Sequence, residues 1–201
     1  MAFINLTRKY VFLATARCAS TSCYEDLKNI SIKNNENFIT HANEMPDLYH
    51  MGLSEFLENY PQFKNYYIFA TVRNPTSRFI SSWKEFRKGG HIKWSYDMTD
   101  FNNIDEFIDN FENTDCKFSI HFTPQYFQLC SFGNRFVDKI LYFESLSDDF
   151  ANLTKFLYGK YYYLSSLIRS TSKQILSRKT NKKLQVFVKN YYRIDIKSFY
   201  S

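Results

Sequence analysis

The sequence predicts an α/β fold, in which a parallel sheet is flanked by helices on both faces. Short β-branched and aromatic runs alternate along the chain with segments whose apolar residues recur at helical spacing. This alternation is typical of parallel sheets built with crossover helices. Because such sheets bind ligands at the carboxyl ends of their strands, we expect the functional site in the loops that lead from strands into helices.

Four segments have the composition of strands. The clearest is YYIFATV at residues 66–72, a run of the aromatic and β-branched residues that are enriched in strands. The run YVFLAT at residues 10–15 is a second candidate and stops at a polar loop. Residues 38–41 and 140–143 complete the set of predicted strands.

Apolar residues at helical spacing predict six helices. Ser22 and Glu25 fit a capping box, so we expect the first helix to begin at Ser22. Asn74 followed by Pro75 is a typical helix start, a capping side chain before a proline at the first helical position. The apolar positions of the six helices are Tyr24, Leu27 and Ile30; Leu53, Phe56, Leu57 and Tyr60; Phe79, Trp83 and Phe86; Ile104, Phe107, Ile108 and Phe111; Phe150, Leu153, Phe156 and Leu157; and Leu184, Phe187, Val188 and Tyr191.

Length and composition indicate one globular domain, residues 1–201. A chain of 201 residues lies at the upper edge of an ordinary single domain. It contains 21 Phe, 16 Tyr and 2 Trp but only 5 Gly and 4 Pro, which excludes a collagenous or disordered protein. We therefore expect a large aromatic core.

The basic charge of the chain is local. The formal net charge is +6, and residues 169–183 contain basic residues but no acidic ones. The rest of the chain is close to neutral, whereas a protein that coats nucleic acid needs a broad positive surface. Composition therefore indicates an anion bound at one segment and no nucleic-acid partner. A solvated basic loop is the alternative for residues 169–183.

The cysteines and histidines predict neither a disulfide framework nor a metal site. Cys18, Cys23, Cys116 and Cys130 form no C-x-x-C pair, so free thiols are expected, with a Cys116–Cys130 bridge as the alternative. The four histidines are scattered, and no H-E-x-x-H motif is present. We therefore expect a site without metal.

The first strand-to-helix loop has the chemistry of an anion site. It is ATARCASTS, residues 14–22, in which Arg17 precedes small and hydroxylated residues. Backbone N–H groups at a helix N-terminus, together with hydroxyl and guanidinium donors, suit a phosphate. The loop lacks the glycines and the Lys-Ser/Thr ending of a Walker A motif, which disfavours a magnesium nucleoside triphosphate. A polar loop that only caps a helix is the alternative.

A second anion site is indicated by the loop VRNPTSRFISSW, residues 72–83. Arg73 follows the clearest strand, and Ser81 lies two turns along the next helix, so a guanidinium and a hydroxyl could hold one anion between them. Arg78 is also present in this segment. We interpret Arg78 as structural, with a carboxylate such as Asp195 as a partner.

With these two loops the sequence resembles the sulfotransferases that use 3′-phosphoadenosine 5′-phosphosulfate (PAPS) and release 3′-phosphoadenosine 5′-phosphate (PAP). Their 3′-phosphate pattern is R-x-x-x-x-x-x-x-S, commonly within R-N-P-x-x-R-x-x-S, and both spacings occur here. The resemblance implies a P-loop-like sulfotransferase fold and binding of the 3′-phosphate by Arg73 and Ser81. It also implies that the first loop holds the 5′-phosphosulfate. The residues that this assigns to donor binding are Arg17, Cys18, Ala19, Ser20, Thr21 and Ser22.

A third block resembles the carbohydrate branch of that family, which contains Golgi enzymes. HFTPQYFQLC, residues 121–130, is similar to its H-W-x-P-Q pattern, although Phe122 replaces the usual Trp. VDKILYFESLSDDF, residues 137–150, is similar to D-x-I-x-x-x-E-x-L-x-x-D, and Tyr192 to Asp195 matches Y-x-x-D. The resemblance thus extends over nearly the whole chain and implies a carbohydrate hydroxyl as the acceptor.

The resemblance also assigns catalytic roles. Sulfuryl transfer proceeds by in-line attack, so charge stabilisation is expected to dominate, and Arg17 would neutralise charge on the leaving oxygen. His41 is the candidate base, because a neutral imidazole can accept the proton of the acceptor hydroxyl. Glu44 and His121 are the alternatives, and a merely structural strand-end histidine remains a further interpretation of His41.

Two expectations concern the protein as a whole. The sequence contains no apolar run of membrane-spanning length and no signal-peptide pattern, which predicts a cytoplasmic enzyme without a membrane partner, of microbial or viral origin. The alternative to an enzyme is a degenerate sulfotransferase fold that binds a nucleotide and serves as an assembly module.

Overall fold

The computed structural model describes residues 2–40, 51–87, 101, 103–131, 135–165 and 178–201. These residues form two compact units. The first unit contains the described residues from 2 to 73 and from 125 to 165, and the second contains those from 74 to 124 and from 178 to 201. Each unit has its own apolar core.

The first unit is built on a mixed five-stranded sheet. Its strands are β1 (Ala2–Asn5), β2 (Tyr10–Leu13), β3 (Phe38–Thr40), β4 (Tyr67–Val72) and β5 (Lys139–Tyr142), in the order β3-β1-β2-β4-β5. Strands β2, β4 and β5 are parallel, as predicted, whereas β1 runs antiparallel to β2 and β3. The antiparallel part was not predicted. It arises because β1 and β2 form a hairpin, which a short connection permits only between antiparallel strands.

Eight α-helices occur in the described part of the chain. They are α1 (Ser20–Lys33), α2 (Leu53–Asn59), α3 (Pro75–Arg87), α4 (Ile104–Asn110), α5 (Gln125–Leu129), α6 (Leu146–Tyr158), α7 (Arg178–Tyr191) and α8 (Arg193–Phe199). The α/β fold is thereby confirmed. None of these helices is both long and apolar enough to traverse a lipid bilayer.

Helices α1 and α6 pack on one face of the sheet. Phe12 and Phe69 point to this face and are fully buried with Leu27 of α1 and Phe150 of α6. The strand residues that point to the other face, such as Val11, are buried as well. Burial on both faces is characteristic of the parallel part of an α/β sheet.

Two local predictions about helices were wrong. Helix α1 begins at Ser20 rather than at Ser22, and Ala19 at its N-cap provides no side-chain cap, so the predicted capping box with Glu25 is not formed. Phe156 was expected in the core but is 68% exposed, because it lies on the outer face of α6 and contacts the ring of Tyr67 there.

A buried polar network ties the hairpin to the helices. The Glu36 carboxylate accepts hydrogen bonds from Arg8 Nε at 2.7 Å, from Asn5 Nδ2 at 2.8 Å and from the Tyr158 hydroxyl at 3.3 Å. Asn5 is the last residue of β1 and pairs with Tyr10 at the start of β2. The network therefore lies at the end of the sheet opposite to the loop that follows β2.

The second unit has an aromatic core between its helices. Phe79 of α3 contacts the rings of Phe107, Phe111 and Phe122 at centroid separations of 5.5–5.9 Å. The hydroxyl of Tyr192, which is fully buried, donates to the Phe122 carbonyl at 2.6 Å. Rings at these separations contribute beyond their buried area, so this core explains the high aromatic content of the chain.

We expect the free energy of unfolding to fall above about pH 8.5, the ordinary pKa of a cysteine, and more steeply above about pH 10, the ordinary pKa of a tyrosine. Burial raises the pKa of Tyr10 and Tyr192 well above this value, and it also raises the pKa of the Cys23 thiol. The unfolded chain therefore loses these protons first as the pH rises. Each group then lowers stability by about 1.4 kcal/mol per pH unit, until the pH reaches its pKa in the folded protein.

Urea denaturation at intervals between pH 8 and pH 11 measures this dependence. Tyr10→Phe removes one of the titrating groups and should make the slope shallower. A flat profile between pH 9 and pH 11 would contradict the interpretation.

Candidate functional site

The parallel register places two loops at one edge of the first unit. Leu13, the last residue of β2, pairs with Ala70 of β4, and β4 ends two residues later at Val72. The loop of residues 14–19 leaves the sheet at this edge, and Arg73 follows β4 at the same edge. The sheet thus positions the two loops that the sequence analysis selected.

The first loop contains two residues in the left-handed conformation. Arg17 has φ 64° and Ala19 has φ 60°, a region that favours glycine and costs other residues about 1–2 kcal/mol. Strain of this kind persists where the surrounding structure imposes it, and it is frequent at ligand-binding sites. The loop therefore adopts backbone conformations typical of glycine, although residues 14–19 contain no glycine.

The N-terminus of α1 follows directly. Ala19, the N-cap residue, makes no side-chain capping hydrogen bond, and the first turn contains no acidic residue. Ser20 and Ser22 are buried in this turn, whereas Thr21 is exposed. The positive end of a 14-residue helix that has no acidic residue in its first turn is suited to an anion.

The left-handed conformation of Ala19 can be tested directly. We expect Ala19→Gly to raise the free energy of unfolding by about 0.5–1 kcal/mol, because relief of strain outweighs the added entropy of the unfolded chain. Ala19→Val should lower it, because a β-branched residue is a severe outlier at positive φ. Urea denaturation measures both variants. Equal stability of the two would contradict the conformation described here.

Arg73 reaches the first loop. Its Nη1 donates to the backbone carbonyl of Arg17 at 3.3 Å, and its guanidinium carbon lies 4.2 Å from the centre of the Phe143 ring. The ring lies in the turn that follows β5. An arginine over an aromatic face gains about 0.5–2 kcal/mol, depending on how far it is desolvated. These contacts direct the guanidinium of Arg73 toward the loop of Arg17.

Gln125, the first residue of α5, holds the backbone of Arg73. Its Oε1 accepts from the Arg73 N–H at 2.9 Å, and its Nε2 donates to the Arg73 carbonyl at 2.9 Å. The same Oε1 also accepts from the Cys18 thiol at 3.1 Å. Gln125 and Cys18 are both fully buried. Gln125 follows Pro124 in the P-Q motif, but no pattern in the sequence indicates a role for Gln125 or for Phe143.

The other predicted site residues belong to the second unit or lie outside the described residues. Ser81 is buried on α3, in the second unit. His41 and Glu44, the candidate bases, lie outside the described residues. His121 belongs to the second unit, where its ring meets the ring of Phe86 edge-on at 5.3 Å and its carbonyl accepts from the Ser82 hydroxyl.

Arg78 has the structural role expected of it. It is fully buried and donates to the carbonyl oxygens of Ile120 at 2.7 Å and Thr123 at 2.9 Å. These carbonyls belong to the segment that contains His121. Within the second unit, Arg78 therefore fixes the path of the H-x-x-P motif relative to α3.

Two carboxylates of the motif D-x-I-x-x-x-E-x-L-x-x-D, Asp138 and Asp149, accept hydrogen bonds from the backbone. An oxygen of Asp138 accepts from the Ile68 N–H at 2.7 Å, just before β5 begins, and Asp149 accepts from the Tyr142 N–H at 2.7 Å where β5 ends. The two carboxylates thus fix both ends of β5 and, with it, the turn that carries Phe143.

Only part of the basic segment can be located, because residues 169–177 lie outside the described residues. Lys183, on α7, forms an ion pair with Asp109 at 2.6 Å and donates to the Asp105 carbonyl. The described residues also contain no group of three or more His, Cys, Asp or Glu side chains suited to a metal ion, and all four cysteines are free. The predicted free thiols are confirmed.

Comparison with known proteins identifies one family. The model of the sulfotransferase family matches residues 2–201, almost the entire chain. No curated protein and no solved structure matches the chain. The resemblance of residues 121–150 to the carbohydrate branch is consistent with this family. The protein transfers sulfo groups and belongs to the sulfotransferase family.

Proposed function

We propose that the protein transfers the sulfo group of PAPS to a hydroxyl of a carbohydrate, with residues 1–201 acting as one catalytic domain. The observation that carries this proposal is the contact of the Arg73 guanidinium with the loop of Arg17. Two arginine-bearing loops at one edge of the sheet suit a donor with a phosphate at one end and a phosphosulfate at the other.

When bound, PAPS supplies a sulfo group on a phosphate leaving group. Arg73 is proposed to bind the 3′-phosphate. Ser81 is assigned as its second ligand on the R-x-x-x-x-x-x-x-S spacing alone. The N-terminus of α1, with Cys18, Ala19, Ser20, Thr21 and Ser22, is proposed to bind the 5′-phosphosulfate, which is supported by the positive end of the helix dipole and the absence of acidic residues in the first turn.

The proposed step is an in-line displacement at sulfur. The acceptor oxygen forms a bond to sulfur while the bond from sulfur to the bridging oxygen breaks and PAP departs. Arg17 stabilises the negative charge that develops on the bridging oxygen, as fixed donors do at other developing oxyanions. His41 takes the proton of the acceptor hydroxyl, with Glu44 and His121 as the alternative bases.

A thermal shift assay with PAP and ATP at equal concentration tests the donor site. PAP at about 100 times its dissociation constant should add about 2.7 kcal/mol to the free energy of unfolding, and ATP should add less. Arg73→Ala removes a charged hydrogen-bond donor worth about 1.5–3 kcal/mol and should abolish most of the PAP shift. Arg87→Ala, on the exposed end of α3, is the control and should keep that shift.

Two outcomes would contradict the proposal. Equal stabilisation by ATP and PAP would exclude a site for the 3′-phosphate, and an unchanged shift in Arg73→Ala would exclude Arg73 from it. Tight PAP binding without transfer of labelled sulfate to any of a panel of glycans would instead support a nucleotide-binding module.

A further inference from the structure

We propose that Gln125 is the positioning residue that couples the two donor loops, so that Arg73 meets the 3′-phosphate in a fixed orientation. This inference rests on the proposed function, because it concerns how the proposed donor site is held in shape. Gln125 is not itself proposed to touch the donor.

A positioning residue matters for Arg73 because Arg73 lies where the sheet ends. The β4–β5 ladder ends with the pair Val72 and Tyr142, and the β2–β4 ladder ends at Ala70. Arg73 lies beyond the last residue pair of both ladders. A residue there could vary in φ and ψ, and its long side chain would amplify small changes at Cα into large displacements of the guanidinium.

The side-chain amide of Gln125 pairs with the backbone of Arg73 as a neighbouring strand would. Its oxygen and nitrogen engage the N–H and the carbonyl of Arg73, both at 2.9 Å, which is the pair of hydrogen bonds that a strand residue would exchange. With both backbone groups held, the direction of the Cα–Cβ bond of Arg73 is fixed. The side chain then reaches the Phe143 ring and the Arg17 carbonyl.

The third contact of Gln125 extends this control to the first loop. Its Oε1 also accepts from the Cys18 thiol, which lies between the two left-handed residues Arg17 and Ala19. One fully buried amide thus contacts both loops. Buried amides are costly unless every group is paired, and this pairing therefore specifies a single relative position of the two loops.

The experiment compares the affinities of PAP and AMP, measured by isothermal titration. AMP lacks the 3′-phosphate, so the ratio of the two affinities reports the contribution of the 3′-phosphate site to which Arg73 belongs. Gln125→Met keeps the volume of the side chain but loses its hydrogen bonds. We expect it to lower the PAP:AMP affinity ratio about tenfold or more, since a charged hydrogen bond contributes roughly that factor in affinity and weakens when its donor is displaced.

A matched control separates positioning from stability. Asn5→Leu removes another fully buried amide of the same unit, at the opposite end of the sheet. It should lower the thermal midpoint but leave the PAP:AMP ratio unchanged. A kinetic readout is also specific: Gln125→Met should raise the KM for PAPS more than it lowers kcat, because a binding interaction is lost in ground state and transition state alike.

The outcomes distinguish the inference from the proposed function. A wild-type protein that binds PAP no better than AMP overturns both. A wild-type protein that prefers PAP, with the same ratio in Gln125→Met, overturns the inference alone. If Gln125→Met does not fold, Gln125→Glu keeps the shape and the acceptor oxygens but cannot donate to the Arg73 carbonyl. A wild-type ratio in that variant likewise overturns the inference.

Discussion

Arg17→Ala should lower the turnover number for sulfo transfer by about 100-fold to 1,000-fold, the usual effect of removing one preorganised donor from a developing oxyanion. The affinity for PAP should fall much less, because PAP carries no sulfo group and no bond that breaks. The backbone of the loop should remain in place, since the atom of Arg17 that receives Arg73 is its carbonyl oxygen. Single-turnover release of PAP from PAPS, with a glycan panel as acceptor, measures the effect.

Arg17→Lys is the matched control for this variant. It restores a positive charge but not the planar fork of donors, so turnover should recover in part. A rise in the KM for PAPS with an unchanged kcat in Arg17→Ala would assign Arg17 to ground-state binding only and would refute its catalytic role.

Arg78→Met should lower the free energy of unfolding by about 2–5 kcal/mol, because each buried carbonyl left unsatisfied costs about 1–3 kcal/mol, and this is a large part of the 5–15 kcal/mol typical of a folded protein. The substitution leaves the carbonyls of Ile120 and Thr123 without the guanidinium that now serves both. It also replaces the largest fully buried side chain of the described residues. Urea denaturation gives the change in stability.

The control for Arg78→Met is a substitution of Arg87, which lies on the same helix, α3. Arg87 is exposed at the end of α3, where it stacks on Trp83, and Arg87→Met should cost less than about 1 kcal/mol. The folded fraction of Arg78→Met should keep its affinity for PAP. A loss of PAP affinity at unchanged stability would move Arg78 from a structural role to the donor site.

The sequence predicted the features that depend on neighbouring residues. Asn74 and Pro75 were expected to start a helix, and Asn74 Oδ1 does accept from the N–H groups of Thr76 and Ser77. Strand β4 and the edge of the sheet where the two loops lie were also predicted, because aromatic and β-branched runs and strand-to-helix loops are local patterns.

Features set by distant contacts were not predicted. Ser22 and Glu25 carry a capping pattern, but α1 starts earlier because Ala19 takes a left-handed conformation that nothing in its own chemistry favours. Strand β1 (Ala2–Asn5) was not predicted, and its place in the sheet depends on pairing with β2 in the hairpin and with β3, more than 30 residues away. No composition rule indicates that one buried amide, Gln125, holds Arg73.

The contacts of Gln125 join residues that are far apart in the sequence, and this affects the order in which contacts form during folding. Gln125 is 52 positions from Arg73 and 107 from Cys18, whereas the turn of the β1–β2 hairpin spans only a few residues. Closing long loops costs more entropy, so the hairpin precedes these contacts. β1 and β2 can therefore pair early in a nascent chain, whereas Gln125 can join the loops of Arg17 and Arg73 only after it has left the ribosome.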